Sequence, residues 1–140
     1  MKKQGGFLMS QIRHLSGRTW EKMLKDSGVD IFNGAQGRIL YVLWEHGQLT
    51  ITEIGKLTSL AKTTLTSMLD RMEAGGLIQR VPDKNNRRQI FIVITEKARA
   101  YREKYDELSE QMNEVFYAGF DDDEIKDFED KLRRIVKNLE

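Results

Sequence analysis

A run of hydroxyl-bearing and basic side chains in the middle of the sequence has the composition of a nucleic-acid contact. It comprises Lys62, Thr63, Thr64, Thr66, Ser67 and Arg71. On a helix these residues fall outside the apolar stripe that starts at Leu65. Short hydroxyl and methyl groups can approach base edges in a DNA major groove, whereas lysine and arginine suit phosphates. The alternative is a solvated helix, but threonine is a mediocre helix former, so the run favours DNA.

A second basic cluster follows in the polar segment 83–88. It comprises Lys84, Asn85, Arg87 and Arg88. Asparagine and aspartate favour turns, so we expect this segment at the tip of a hairpin. An arginine at such a tip can enter a narrow minor groove, where the negative potential is enhanced. Alternatively an arginine pairs with Asp83 and simply holds the loop. We assign that structural role to Arg88 and the DNA contact to Arg87.

The charge distribution is compatible with polyanion binding in mid-chain. Residues 52–92 carry seven basic and four acidic side chains, whereas residues 93–140 carry nine basic and fourteen acidic ones. A polyanion is therefore attracted to the middle of the sequence and repelled by its end. The net charge is only +1, so solvated faces on a nearly neutral protein are the plainer explanation. Charge alone ranks the candidate surfaces and does not prove binding.

The elements predicted around these clusters follow the order of a winged helix-turn-helix. Two short helices joined by a tight turn form the helix-turn-helix, and β-branched strands after them form a hairpin. Thr50 and Glu53 have capping-box spacing at the start of the first helix. The series is a strand at 49–51, a short helix to 57, a turn at 58–59, a helix over 60–74 and strands over 77–82 and 89–95. The hairpin carries the basic segment at its tip.

Long amphipathic helices flank this unit and predict a mainly α fold with a small β-hairpin wing. Their expected ranges are 7–27, 33–47, 97–117 and 122–138. Apolar residues recur at heptad spacing from Tyr101 and Tyr105 onward, and again through Leu132 in the last helix. A winged helix cannot cover such seams, whereas a second copy can. We therefore expect dimerisation helices at 1–32 and 96–140 and a winged helix-turn-helix DNA-binding domain at 33–95.

Composition excludes several chemistries. The chain has no cysteine, which removes disulfides, thiolate metal sites and thiol redox sensing. His14 and His46 are too few and too scattered for a metal cluster. The sequence has no phosphate-binding loop, dinucleotide fingerprint, nucleophile elbow or zinc-protease motif, so we expect no enzyme and no cofactor. It has no secretory signal and no membrane span, which favours a cytoplasmic protein without a membrane partner.

A specific set of residues between Asn33 and Ala98 matches one known family. It includes Gln36, Leu40, Leu43, Gly47, Thr52-Glu53-Ile54, Leu57, Thr64-Leu65-Thr66, Asp70-Arg71-Met72-Glu73, Gly76-Leu77-Ile78, Arg80, the segment Asp83 to Arg88 and Ile94-Thr95-Glu96-Lys97. On these residues the chain resembles the MarR family of bacterial transcriptional regulators. It departs from the family pattern at Asn86, where an acid is usual, and at Ala98, where a glycine is usual. Ala61 stands where a hydroxyl residue often caps the recognition helix, and Ser59 is the alternative cap.

The resemblance implies a homodimer that binds a pseudo-palindromic operator in double-stranded DNA as a repressor. Each recognition helix would enter a major groove and each wing a minor groove, with the recognition helices about 34 Å apart. It also implies a small aromatic or lipophilic effector that binds where the dimerisation helices meet the winged helix. The candidate lining residues are His14, Arg18, Trp20, Phe32, Tyr41 and Trp44, and core packing is the alternative role of each.

The competing function is a winged helix that binds another protein without direct DNA contact, because folds do not fix functions. Such a module would more often expose apolar residues over 62–71 than hydroxyl and basic ones. Salt-sensitive binding to random DNA separates the two functions.

Overall fold

Helices form most of the chain, and a small antiparallel sheet completes the fold. The computed structural model describes residues 1–29, 31–32 and 34–140. Its helices are α1 Gly5–Ser27, α2 Gly34–His46, α3 Ile51–Thr58, α4 Lys62–Ala74, α5 Glu96–Arg99, α6 Arg102–Phe116 and α7 Asp122–Leu139. Its strands are β1 Leu49–Thr50, β2 Ile78–Pro82 and β3 Ile90–Ile94. The predicted fold class, mainly α with a β-hairpin wing, is confirmed.

The chain divides into two compact units, Met1–Leu108 and Ser109–Glu140. The first unit contains the predicted helix-turn-helix and hairpin. The predicted start of the second helix at Asn33, and the domain boundary placed there, lie outside the described residues. The proposed division into a DNA-binding domain and dimerisation helices stays a prediction.

The two helices of the helix-turn-helix begin differently. α3 begins at the predicted capping box, in which Thr50 Oγ1 lies 3.2 Å from the Glu53 nitrogen and Glu53 Oε1 lies 3.0 Å from the Thr50 nitrogen. The bond donated by the Thr50 backbone is the main cause of a lowered pKa of the Glu53 carboxyl. α4 follows Ala61, which offers no side-chain cap. Ser59 is not the cap, because it ends α3 in the left-handed region with φ 57°.

The strands pair in the order β1-β3-β2 and are all antiparallel. β2 and β3 form the predicted hairpin, from Ile78 opposite Ile94 to Pro82 opposite Ile90. β1 adds a short third strand against β3. Ile51, predicted at the end of β1, is instead the first residue of α3, because the capping box already starts the helix.

The core of the first unit lies between α2, the helix-turn-helix and the sheet. Leu65, Leu69 and Met72 are buried and confirm the predicted apolar stripe of α4. Burial of a side chain of this size contributes about 1.5–3 kcal/mol. Gly37 lets α2 approach the segment before it, since a Cβ there would stand 2.5 Å from the Phe32 carbonyl oxygen.

The helix predicted from Thr95 to Tyr117 is interrupted after its first turn. Thr95 caps α5 as expected, with its Oγ1 3.3 Å from the Ala98 nitrogen. The Tyr101 N–H then donates to the Ala98 carbonyl three residues back, which tightens the chain before α6 begins at Arg102. The predicted single helix is therefore α5 followed by α6.

The first part of the heptad seam predicted on this helix is buried within its own chain. Leu108 is buried, and Tyr101 and Tyr105 are half-buried against the core. The centroid of the Tyr105 ring lies 5.2 Å from those of Phe32 and Trp44. Aromatic pairs at this distance are stabilising beyond the area they bury. The expectation that a second copy covers this part of the seam is therefore wrong.

The second unit comprises the end of α6 and all of α7. Asp121 caps α7 in a capping box with Glu124, and α7 begins at Asp122, the predicted first residue. The Tyr117 hydroxyl donates to Glu129 Oε2 at 2.7 Å. Burial and then this hydrogen bond raise the pKa of the Tyr117 phenol to about 12. Along α7, Leu132 is half-buried, whereas Ile135, Val136 and Leu139 are exposed.

Candidate nucleic-acid interface

The predicted contact residues of α4 are all exposed to solvent. They are Lys62, Thr63, Thr64, Thr66, Ser67 and Arg71. Leu65 and Leu69, which are interspersed with them in sequence, are exposed by only 1% and 0%. The helical period separates the two sets, so the hydroxyl and cationic groups face away from the core. α4 therefore offers these groups to an external partner.

The wing tip is held by side chains that accept hydrogen bonds from the backbone. Asp83 Oδ1 accepts from the Asn85 N–H at 2.8 Å, and Asn86 Oδ1 accepts from the Arg88 N–H at 3.1 Å. The prediction of an ion pair between Asp83 and an arginine is wrong. The Asp83 carboxylate instead accepts a hydrogen bond from the backbone of the turn. Asn86 stands where the resemblance predicts an acid, and it likewise accepts a hydrogen bond from a backbone N–H of the turn.

Lys84, Asn85, Arg87 and Arg88 are exposed around this turn. Among the described residues, neither arginine forms an ion pair. The structural role assigned to Arg88 is therefore corrected, because its backbone N–H holds the loop while its guanidinium does not. Both guanidinium groups are therefore available to bind an external anion.

Arg80 joins the wing to α4, although it was not among the predicted contact residues. From β2, its Nη2 lies 2.8 Å from Asp70 Oδ1 and its Nη1 lies 2.5 Å from Glu73 Oε1. Burial lowers the pKa of Arg80, but the hydrogen bonds to the two carboxylates outweigh it and the net shift is upward. This ion pair had a signal in the sequence. Asp70 and Glu73 have i,i+3 spacing on α4, and Arg80 follows on the next strand.

Two side chains near the start of α5, those of Lys97 and of its N-cap Thr95, form hydrogen bonds with the residues that end α4. Lys97 Nζ donates to the Gly75 carbonyl at 3.0 Å, and Thr95 Oγ1 donates to the Gly76 carbonyl at 2.6 Å. Gly76 has φ 78°, a conformation that glycine adopts without a Cβ penalty. These bonds fix the direction of the chain between α4 and β2.

A cleft of about 300 Å³ lies within the first unit, with walls from α1, α2 and the start of α6. Its lining residues are Gly17, Trp20, Glu21, Phe32, Gly34, Gly37, Arg38 and Tyr105. Of the predicted effector-pocket residues, Trp20 and Phe32 line it. The prediction missed Arg38 and Tyr105. The heptad spacing predicts Tyr105 on a dimer seam instead, and the sign of free space in α2 was Gly34, where a Cβ would meet no atom within 4 Å.

The remaining predicted pocket residues lie outside the lining of this cleft. His14 and Arg18 are exposed on α1. Tyr41 and Trp44 contact the lining residue Tyr105, with ring centroids 6.2 and 5.2 Å from that of Tyr105. The Trp44 indole N–H also donates to the Ala98 carbonyl at 3.2 Å, which is the packing role given as the alternative.

The described residues offer neither a metal site nor a membrane span. No group of three or more histidine, cysteine, aspartate or glutamate side chains among them could hold a metal ion. No helix in the described ranges combines the length and apolar character needed to cross a bilayer.

Comparison with known proteins agrees with this geometry. The MarR family profile matches residues 32–90. The uncharacterised HTH-type transcriptional regulator YwhA of Bacillus subtilis is 30% identical over 96 residues, which cover 69% of each chain. The regulator TtmR of Methylorubrum extorquens is 34% identical over 100 residues, and the match covers 71% of this chain but only 50% of TtmR. The solved structure of reduced AbfR bound to DNA has 28% identity and a TM-score of 0.76, and the match covers 97% of this chain and 92% of AbfR.

Proposed function

Because the chain belongs to the MarR family of transcriptional regulators, we propose that it binds double-stranded operator DNA and regulates transcription as a repressor. α4 is then the recognition helix: Thr64 and Thr66 meet base edges in a major groove, while Lys62 and Arg71 bind phosphates. The arginines of the wing tip enter the adjacent minor groove. The role is regulatory and not catalytic, and the cytoplasm, where the DNA lies, is its place of action.

One observation carries this proposal. Every predicted contact residue of α4 and of the wing tip is exposed, and Arg80 ties the two elements together through Asp70 and Glu73. A protein-binding winged helix would more often expose apolar groups at this position. The exposed groups here are hydroxyls, cations and an amide, which are the groups that bind phosphates and base edges.

We assign the homodimer to exposed apolar residues on two helices, α1 in the first unit and α7 in the second. Phe7, Leu8, Ile12 and Leu15 on α1 are more than 40% exposed, as are Ile135, Val136 and Leu139 on α7. Exposed apolar positions that recur along a helix mark an interaction surface. A second copy would cover them, and its twofold symmetry would require a pseudo-palindromic operator.

A small aromatic or lipophilic effector is the proposed regulator, and the cleft beside Trp20 and Tyr105 is its proposed site. The volume of about 300 Å³ is at the lower end of the range for small-molecule pockets. The walls supply three aromatic rings, those of Trp20, Phe32 and Tyr105. A flat apolar ligand would bury its faces against them.

Binding to random-sequence duplex DNA, measured by fluorescence anisotropy over a range of salt concentrations, tests the proposed function. The slope of log K against log salt should be about −0.9 for each phosphate neutralised. The double variant Lys62→Ala/Arg71→Ala should bind more weakly with a shallower slope, whereas Lys22→Ala/Lys25→Ala on α1 is the matched control. No binding, or binding insensitive to salt, would contradict the proposal and favour the protein-binding alternative.

A further inference from the structure

The end of α2 binds the chain on both sides of the interruption between α5 and α6. The Trp44 indole N–H donates to the carbonyl of Ala98 in α5 at 3.2 Å. The Trp44 carbonyl accepts from Nη1 of Arg102, the first residue of α6, at 2.9 Å. A single residue of α2 therefore holds both helices that meet at the interruption. We call these two hydrogen bonds, from Trp44 to Ala98 and from Arg102 to Trp44, the junction clamp.

Both bonds of the junction clamp satisfy groups that would otherwise lack a partner. The Trp44 carbonyl belongs to the last turn of α2, where carbonyls have no acceptor role within the helix. A guanidinium at this end of a helix is also favoured by the helix dipole. Trp44 is only 8% exposed, so an unpaired indole N–H would cost free energy. The contacts are therefore specific to this arrangement of α2, α5 and α6.

A second bond orients the guanidinium of Arg102. Its Nη2 lies 3.1 Å from Glu45 Oε1, and the two side chains are 44% and 48% exposed. An ion pair this exposed contributes little to the stability of the fold. It does restrict the rotation of the guanidinium, because two nitrogens of one planar group are held at once. We therefore expect Arg102 to determine the direction of α6 more than the free energy of unfolding.

Ala98 restricts the junction from the side of α5. Its side chain is fully buried, and its carbonyl accepts from the Tyr101 N–H at 3.1 Å as well as from the Trp44 indole. The resemblance predicts a glycine at this position. Alanine allows the backbone fewer conformations than glycine does. The departure from the family pattern therefore lies at the point where the junction clamp acts, and it makes the junction stiffer.

The direction of α6 matters for DNA binding because the chain reaches α7 and its proposed dimer surface through α6. In a twofold dimer, a fixed direction gives a fixed separation and rotation between the two recognition helices. One added base pair moves a half-site by about 3.4 Å and turns it by about 35° around the DNA axis. A stiff junction fits one such spacing, whereas a hinged junction can follow several.

We propose that Arg102 is a positioning residue that makes this protein selective for one separation of operator half-sites, because with Trp44 and Ala98 it fixes the direction in which α6 leaves the winged helix. The side chains proposed to read bases lie on α4. The junction clamp therefore governs the spacing of half-sites and not the base preference within each. This inference rests on the proposed binding of a homodimer to operator DNA.

Operators that differ only in the distance between their half-sites test the inference. The half-site that the wild-type protein selects from random duplex DNA is built into inverted repeats, with the centre shortened or lengthened by one or two base pairs. Fluorescence anisotropy gives the affinity for each. Wild type should bind its preferred spacing about tenfold more tightly than the neighbouring ones, because the DNA must otherwise twist or bend to fit.

Arg102→Met should bind the preferred spacing only a few-fold more weakly, while its preference over neighbouring spacings falls to about twofold. Arg102→Lys should keep part of the preference, since an ammonium can still donate to the Trp44 carbonyl. Ala98→Gly should relax the preference from the side of α5. Arg99→Met is the matched control, because this exposed arginine pairs with Glu96 within α5. A merely structural role would weaken binding at all spacings equally and leave their ratio unchanged.

Three results would overturn the inference while leaving the proposed function intact. They are equal binding of wild type at neighbouring spacings, a parallel loss at all spacings in Arg102→Met and Ala98→Gly, and a relaxed preference in the Arg99→Met control. Urea titration verifies folding, and if one junction variant is unfolded, the other decides. Failure of wild type to enrich any sequence, or enrichment of a single half-site without a repeat, would instead overturn the proposed binding of a dimer to DNA, and the inference with it.

Discussion

The Arg80 guanidinium on the first wing strand donates to the Asp70 carboxylate of α4 at 2.8 Å. A second nitrogen of the same group reaches Glu73 one turn further along the helix. The side chain of Arg80 is only 23% exposed, so water screens these contacts less than it screens a fully exposed pair. The wing and the recognition helix are thereby joined by a specific polar contact as well as by the short connection between α4 and β2.

Arg80→Met should weaken DNA binding more than it weakens the fold. Its carboxylate partners are 65% and 43% exposed, so we expect unfolding free energy to fall by only about 1 kcal/mol in urea titrations. Two uncompensated acids on α4 would repel phosphates, and operator affinity should fall by about tenfold. A double-mutant cycle with Asp70→Asn isolates the pair. An unchanged affinity, or additive effects in the cycle, would show that the contact does not position α4.

Thr64→Ala and Thr66→Ala should each change base preference at one operator position. Loss of a direct base contact costs about 1–3 kcal/mol at that position. Both residues are exposed, so the fold should be unaffected. Competition binding with single-base operator variants gives the measurement. If both variants return the wild-type ranking at every position, these threonines do not read bases.

Arg87→Ala should reduce the salt slope of DNA binding by about one and weaken binding uniformly across sequences. We expect the same of Arg88→Ala, because its guanidinium forms no ion pair with a described residue and only its backbone N–H holds the loop. Asn86→Ala is the informative contrast, since it removes a loop hydrogen bond but no charge. Equal salt slopes for wild type and both arginine variants would show that the wing tip does not contact DNA.

Ile135→Asp should dissociate the homodimer without unfolding the single chain. Leu132 was the residue that the heptad seam suggested, but it is half-buried in its own unit, whereas Ile135 is 42% exposed. A carboxylate in a covered apolar seam would lose hydration without gaining a partner. Light scattering measures the mass, and Asn138→Asp adds the same carboxylate at an exposed neighbouring position. A dimeric Ile135→Asp protein would exclude this part of α7 from the interface.

Alkaline pH should destabilise the second unit through Tyr117. The pKa of this phenol is about 12 in the fold against an ordinary value of 10.0, so the folded chain holds the proton more tightly. Its contribution is fully present below the unfolded pKa and is lost as pH rises from there towards 12. Urea stability of wild type should therefore fall more steeply over this interval than that of Tyr117→Phe. Parallel curves would contradict the pKa shift.

Local signals in the sequence predicted most of the elements. Thr50 and Glu53 lie within four residues of each other, so their capping box could be recognised without knowledge of the fold. The apolar stripe of α4 likewise predicted which of its faces is buried. The order of the elements also followed from these local signals, and the resemblance to the MarR family agrees with it.

Contacts between distant residues were the features that the sequence did not reveal. Tyr105 fits a heptad repeat equally well whether its partner is a second copy or the aromatic cluster of its own chain, and periodicity cannot distinguish them. Arg80 and Arg38 each bind groups at least seven residues away, in other elements. At the wing tip, Asp83 can accept from an arginine or from the backbone, and the competition depends on the geometry of the turn.

Selection of binding sites from random duplex DNA with the purified 140-residue chain tests the central claim most directly. The exposed face of α4 and the wing tip, duplicated by twofold symmetry, should enrich an inverted repeat whose half-site centres are separated by about 10 base pairs or a multiple of it. The Thr64→Ala/Thr66→Ala protein should enrich a different or weaker consensus. A pool that stays unenriched with folded wild-type protein would contradict the account.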